Sequence, residues 1–311
     1  MYVQYGIRNS EEAVIYRIYG GTPVVAVPER IEDCPVTVVG AYCFSDRSRI
    51  PGDVRCAGNR PSQSERELAG DYIQEAALPD TIRSIDNAAF FGCRNLTALE
   101  IGQQLMSVGS DVFNNCSRLR TLRVRAGAGE ATAVRHILNR ISWEIEVFFE
   151  DAVVLYPEYY EVYDTIAPAH IFGLSIEGEG FRARQCFQND VIDFCAYDDI
   201  FRKACAGETV STLGRMALNR LMTPVCLAKR YQRQYENYVR ANSGEILLDN
   251  IKTRDFAKLE FICVHQYTDA AGVERAACQA ARDGWAEGAA GLMEWKHQYY
   301  AVHKKNRYEF E

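Results

Sequence analysis

The sequence predicts an α+β chain: a short β-solenoid over residues 1–150, a β-hairpin segment over 151–205, and an α-helical array over 206–311. Three observations predict it. Apolar residues recur at an offset of 23 in the first half, they alternate near 171–183, and from Val191 they fall at three- and four-residue spacing. The composition, 48 % apolar and 25 % charged over 311 residues, belongs to folded globular protein and excludes a disordered or fibrous chain.

The period carries the first element. TIRSIDNAAFFGCRNLTALEIG (81–102) aligns with QLMSVGSDVFNNCSRLRTLRV (104–124), so that Ile82/Leu105, Ile85/Val108, Phe90/Phe113, Cys93/Cys116, Leu96/Leu119, Leu99/Leu122 and Ile101/Val124 all stand 23 apart. Two periods back from Ile82, Ile85 and Phe90 lie Val36, Val39 and Phe44; one back from Leu96 and Ile101 lie Ile73 and Leu78. One forward from Leu122 and Val124 lie Ile145 and Val147. A coil this short cannot bury its own apolar face, so coils must stack, with equivalent side chains about 4.8 Å apart. The two phenylalanines should plug the turns, and Cys93 and Cys116 are small enough to sit inside without a partner. Residues 45–72, rich in Gly, Pro, Ser and charge, read as an exposed loop insertion. ATAVRHILNR replaces the Phe turn with a short helix, as a capping repeat does. EEAVIYRIY (11–19) is expected to cover the sheet edge at the start of the solenoid.

At these residues the chain resembles the BspA-like leucine-rich repeat family. LPDTIRSIDNAAFFGCRNLTALEIG follows that family's recurring pattern, and AVIYRIYGGTPVVAVPERIEDCPVTVVGAYCF is similar to its entry hairpin and first coil. The resemblance covers roughly 10–125. It implies a leucine-rich-repeat β-solenoid that binds other macromolecules, often on cell surfaces.

In the second element, Pro157 is expected to open a short aromatic-rich helix. Phe172, Leu174 and Ile176, then Phe181 and Ala183, flank Gly178-Glu179-Gly180 as a hairpin would. The glycines read as a turn and not a phosphate loop, because no helix is expected directly after them. From about Val191 the pattern turns helical, leading into the third element. Thr223-Pro224 and Thr268-Asp269 read as helix starts and Gly284 as a stop. The last two helical segments resemble ankyrin-like helical-hairpin stacking, without that family's TPLH signature. Trp285, Trp295, Tyr299 and Tyr300 are read as packing, and LAKRYQRQYENYVR as the solvated face of a surface helix.

Charge and cysteine usage narrow the function classes. Residues 1–127, 128–202 and 203–311 carry net charges of −1, −9 and +3, so no block has the basic footprint of a nucleic-acid binder. No apolar run approaches the roughly 18 residues of a membrane span. The N-terminus lacks the basic flank and apolar run of a secretory signal. The 11 cysteines are odd in number and show no CxxC pattern, which reads as reduced, mostly buried thiols in the cytoplasm. His136, His170, His265, His297 and His303 form no HExxH or HxH spacing, and no cofactor or metal is expected. The nearest thing to a nucleophile is Cys186, beside Arg184 with His170 upstream, and it reads as an unreactive strand cysteine.

The reading is a non-enzymatic interaction module that binds a protein partner through solenoid and helical-array surfaces. A surface adhesin is the alternative, and an enzyme using Glu177, Glu179 and His170 of the acidic segment stands third. The candidate surface is Glu100, Arg123, Arg125, Glu146 and Phe148. Glu100, Arg123 and Glu146 are 23 apart and each sits between two inward apolar residues, so they should stack outward as an acid–base–acid column.

Overall fold

Alternating apolar residues form the first two strands, β1 (Tyr2–Arg8) and β2 (Glu12–Gly20), which pair as an antiparallel hairpin with an irregularity at Gln4/Tyr5. The computed structural model describes residues 1–9, 11–47, 49–166 and 171–300, and the side chains of these outside 163–174. It falls into two units, Met1–Gly207 and Glu208–Glu311. After the hairpin come β3 (Val24–Ala26), β4 (Arg30–Ile31) and β5 (Cys34–Val39). β2 runs parallel to β5, so the 11–19 segment covers that edge as expected.

The insertion is not a free loop. Its β6 (Arg55–Ala57) pairs with β1 and its β7 (Arg66–Glu67) with β2. Leu68 is buried, and Gly70 donates its N–H to the Phe44 carbonyl at 2.7 Å. The fully buried Arg17 donates to the carbonyls of Cys43 (3.0 Å) and Ser45 (2.7 Å) and meets Glu67 of the insertion at 2.6 Å. Composition marks exposed loops, but these anchors are backbone pairings that composition does not register.

The solenoid coils follow as β8 (Glu75–Ala77), β9 (Ser84–Ile85), β10 (Ala98–Gly102), β11 (Ser107–Val108) and β12 (Thr121–Arg125). After the helical turn α1 (Val134–Leu138) the coil closes with β13 (Ile145–Phe148) and β14 (Val153–Tyr156). One sheet has the order β11-β9-β5-β2-β1-β6, with β4 on β5 and β7 on β2; the other is β14-β13-β12-β10-β8-β3. Within them Val39, Ile85 and Val108 stack in register, as do Ala76, Leu99 and Leu122, all buried. Phe44, Phe90 and Phe113 stack at 4.8 and 5.8 Å between centroids. Cys93 and Cys116 do find partners: their thiols donate to the carbonyls of Phe44 (3.1 Å) and Phe90 (3.0 Å), one coil down. The turns before the phenylalanines repeat a left-handed residue at Tyr42, Ala88 and Asp111, with φ of 60°, 55° and 56°.

The period breaks at the closing coil. Leu122 pairs with Val147 and Arg123 with Phe148, an offset of 25 and not 23. The turn that carries α1 takes two more residues than the Phe turn. Because the shift is even, Ile145 and Val147 stay buried and the faces are preserved.

The first unit takes in 151–207. Pro157 leads into a strand and no helix: β15 (Tyr160–Ile166) pairs with β16 (Ile171–Glu177). The expected hairpin across Gly178-Glu179-Gly180 is therefore replaced by one upstream, and Gly180 opens α2 (Gly180–Ala183). A Cβ on Gly180 would stand 2.1 Å from the Pro157 carbonyl oxygen, so the close approach of these backbones requires glycine. β17 (Phe187–Gln188) and β18 (Val191–Ile192) form a short hairpin, so the helix expected from Val191 begins three residues later as α3 (Phe194–Ala204), with Asp193 as its cap.

The second unit is the helical array α4 (Val210–Met222), α5 (Lys229–Ala241), α6 (Ser243–Thr253), α7 (Phe256–Val264), α8 (Ala270–Arg282) and α9 (Ala286–Tyr300). Thr209, Asp255 and Asp269 accept from the first-turn N–H groups of their helices. Thr223-Pro224 starts no helix; the chain turns through Cys226, at φ 52°, and α5 begins five residues after Pro224. Phe256 packs on Trp285 (6.3 Å) and Trp295 (4.7 Å), and both indoles are buried. No helix of the described residues is long and apolar enough to cross a membrane.

Candidate functional site

The outward side chains of the second sheet form rows across its strands. One row reads Ala26, Ala77, Glu100, Arg123, Phe148, Val153, and the row beside it Val24, Glu75, Ala98, Thr121, Glu146, Leu155. Glu100 and Arg123 stand opposite each other as the period requires. Glu146 stands opposite Thr121, so the third member of the expected column is Phe148. The two extra residues of the α1 turn are the reason.

The two arginines of β12 differ in what surrounds them. Arg125 is bonded to Asp80 through Nε (3.0 Å), to Glu100 through Nη1 and to the Leu78 carbonyl through Nη2. Burial works against its charge, but the bonds to Glu100 and Asp80 outweigh it and hold Arg125 protonated. Arg123 is half exposed and meets Glu75 at 4.0 Å. Beside it Phe148 shows 36 % of its surface, and Val24 on the edge strand shows 51 %. Glu75 and Asp80 were not among the sequence candidates. Glu75 was within reach, one period below Ala98; Val24 was not, because its offset of 51 to Glu75 spans the insertion.

The nucleophile reading fails on geometry. Arg184 is buried, and its guanidinium donates to the carbonyls of Ile141 (2.9 Å), Trp143 (2.7 Å), Gly180 (2.9 Å) and Pro157. Its ring neighbour is Tyr159 at 5.2 Å. Burial pulls the Arg184 pKa down to about 10. It is a clasp on three chain segments, 141–143, Pro157 and Gly180. Burial likewise pushes the Cys186 thiol up to about 12, which leaves no thiolate at neutral pH. His170 lies outside the described residues. Glu179 pairs with Arg182 at 2.9 Å, and Glu177 is exposed. The four-residue α2 is too short to offer a phosphate site. Among the described residues no three His, Cys, Asp or Glu side chains converge as metal ligands. Of the cysteines, Cys43, Cys93, Cys116, Cys186 and Cys263 are buried, whereas Cys56, Cys195, Cys205, Cys226 and Cys278 are exposed, so the thiols are not mostly buried.

The stacked coils and repeated turns define a solenoid repeat protein. Residues 64–131 match the BspA type leucine rich repeat region, in six copies. Repeat proteins of this kind are in general protein-interaction or surface proteins, which points away from an enzyme. Among solved structures, a leucine rich cell surface protein from Faecalibacterium prausnitzii A2-165 matches at 15 % identity over 48 % of this chain and 41 % of its own, with a TM-score of 0.27. The leucine rich repeat protein of T. pallidum matches at 18 % identity over 42 % of this chain and 73 % of its own, with a TM-score of 0.23. The chain thus spans about two fifths of the first of these. No curated protein matches it.

Proposed function

We propose that the outward face of β8, β10, β12 and β13 binds a protein partner, with Arg123 and Phe148 as its central contacts. The supporting observation is the contrast on β12: Arg125 is committed to three internal acceptors, while Arg123 keeps its head in solvent beside an exposed aromatic ring. Arginine and aromatic side chains supply most binding energy at protein interfaces. Exposed thiols such as Cys56, Cys205, Cys226 and Cys278 favour a reducing compartment, where surface cysteines do not oxidise to disulfides.

The test is capture from the native host with wild type, Arg123→Glu and Phe148→Ala. The expected result is loss of the captured protein from both variants while both keep a cooperative melting transition, Arg123→Glu losing some stability to the carboxylate opposite it on Glu100. Unchanged capture by both variants refutes the face. Titration of the native protein taken directly from cells should count all thiols as free; disulfides there would move the protein to an oxidising compartment.

A further inference from the structure

The helical unit carries a second surface. α6 and α8 pack side by side, and a groove of ≈ 650 Å³ opens between them. Ile246, Leu247 and Ile251 fill the buried face of α6, yet the next residue on the groove side, Leu248, leaves 42 % of its surface exposed. On α8 the residues at 271, 275, 278 and 282 line the groove with the three- and four-residue spacing of one helix face: Ala, Arg, Cys, Arg. The floor is therefore apolar and shallow, and Gly244 and Ala271 leave room for a backbone to come close.

Charge sets the kind of occupant. Glu274, the carboxylate of the groove, is held by Lys296 at 2.8 Å. Arg275 and Arg282 are exposed, and among the described residues neither has an ion-pair or hydrogen-bond partner. Two uncommitted guanidinium groups thus border an apolar floor between two helices. Two packed helices accept a third along their groove at about 8–10 Å between axes. We infer that this groove docks an amphipathic helix of a partner protein, its apolar stripe on Leu248 and Ala271 and its carboxylates on Arg275 and Arg282. The inference uses no residue of the strand face and stands or falls separately.

The probe is a capped Leu/Ala/Glu peptide of about four helical turns, with Leu at i, i+3, i+4 and i+7 and Glu on both flanks, titrated into the full chain by calorimetry. Saturable binding is expected, weakened about tenfold or more in Arg275→Glu/Arg282→Glu through like-charge contact. Gly244→Phe should abolish it, because Gly244 lines the groove and a Cβ there meets nothing within 4 Å, so the ring is added to the space the helix would take. Alkylation followed by mass spectrometry should show Cys278 protected by the peptide and the exposed Cys226 unprotected. The inference is overturned if no binding is seen, if a Lys-flanked peptide binds as well, if Gly244→Phe leaves binding unchanged, or if Arg123→Glu abolishes it.

Discussion

Between Thr81 and Val124 the stacking contacts recur from coil to coil, whereas the side chains that close the unit at Trp143, Arg184 and Tyr197 make contacts outside that repetition. In the coils, a phenylalanine stacks on the phenylalanine below and a cysteine donates to the carbonyl below, at offsets set by the period. In the closing region Trp143 donates to the Leu119 carbonyl at 2.6 Å, Tyr197 to the Leu155 carbonyl, and Arg184 alone gathers four carbonyls. Repetition spreads stability over equivalent positions. Closure concentrates it in a few side chains, each holding segments distant in sequence.

The largest effect should come from the centre of the repeated stack. Phe90 is fully buried between Phe44 and Phe113. Phe90→Ala should cost about 3–5 kcal/mol, the range for a buried aromatic truncated to a cavity, read as the shift in a urea midpoint. A loss below about 1 kcal/mol would mean that the coils above and below do not share a core. Arg184→Met should cost somewhat less, about 2–4 kcal/mol, since the side chain keeps its volume but leaves buried acceptors without a donor. Hydrogen exchange should localise that loss to 141–143 and 157–160. Uniform acceleration across the coils would show that the clasp is not local.

A third test uses pH. Burial raises the thiols of Cys43 and Cys186 and the phenol of Tyr156, and contact with Cys116 followed by burial raises Cys93. A group whose pKa is raised by folding contributes stability that is complete below its unfolded value and is lost as pH climbs towards the folded one. For Cys186 that window runs from 9.0 to about 12. By pH 10 that thiol alone should take about 1–2 kcal/mol from the stability, and Cys186→Ala should remove that share of the slope while leaving the part carried by Cys43, Cys93 and Tyr156. A profile unchanged by Cys186→Ala would contradict its burial. Trp143→Phe is a smaller perturbation, about 1 kcal/mol, because it removes one hydrogen bond while keeping a large ring.

The same division governs what could be read from the chain. Columns were legible because Leu99 and Leu122, or Phe90 and Phe113, sit in identical surroundings and so keep their residue type. The slip to 25 at β13 was not, because Ile145, Val147 and Phe149 alternate and a shift of two leaves the apolar pattern intact. The left-handed turns at Tyr42 and Ala88 gave no signal, since neither residue type favours that conformation, and Asp111 alone is of a type that does. Arg184 and Gly180 act through the carbonyls of 141, 143, 157 and 158, and no local pattern announces a partner that far away. Of the candidate surface, the strand face and its outward residues were legible from alternation alone. Which arginine on it is free was not.

That last distinction is the finest test of the comparison, because Arg123 and Arg125 share a strand, a face and a charge. Arg125 behaves as a closing-type residue, tying β10 and the Leu78–Asp80 turn to β12, whereas among the described residues Arg123 has only the long contact to Glu75. Arg125→Gln should cost about 1 kcal/mol, discounted from the sum of its bonds because a third of the side chain is in water. Arg123→Gln should change stability by no more than about 0.5 kcal/mol in either direction, the scale of an exposed ion pair. Salt should erode the first loss partly and the second wholly, since screening acts on charges open to solvent. Equal losses in the two variants would mean that Arg123 is a structural residue after all, and the strand face would then keep Phe148 as its contact but no free charge beside it.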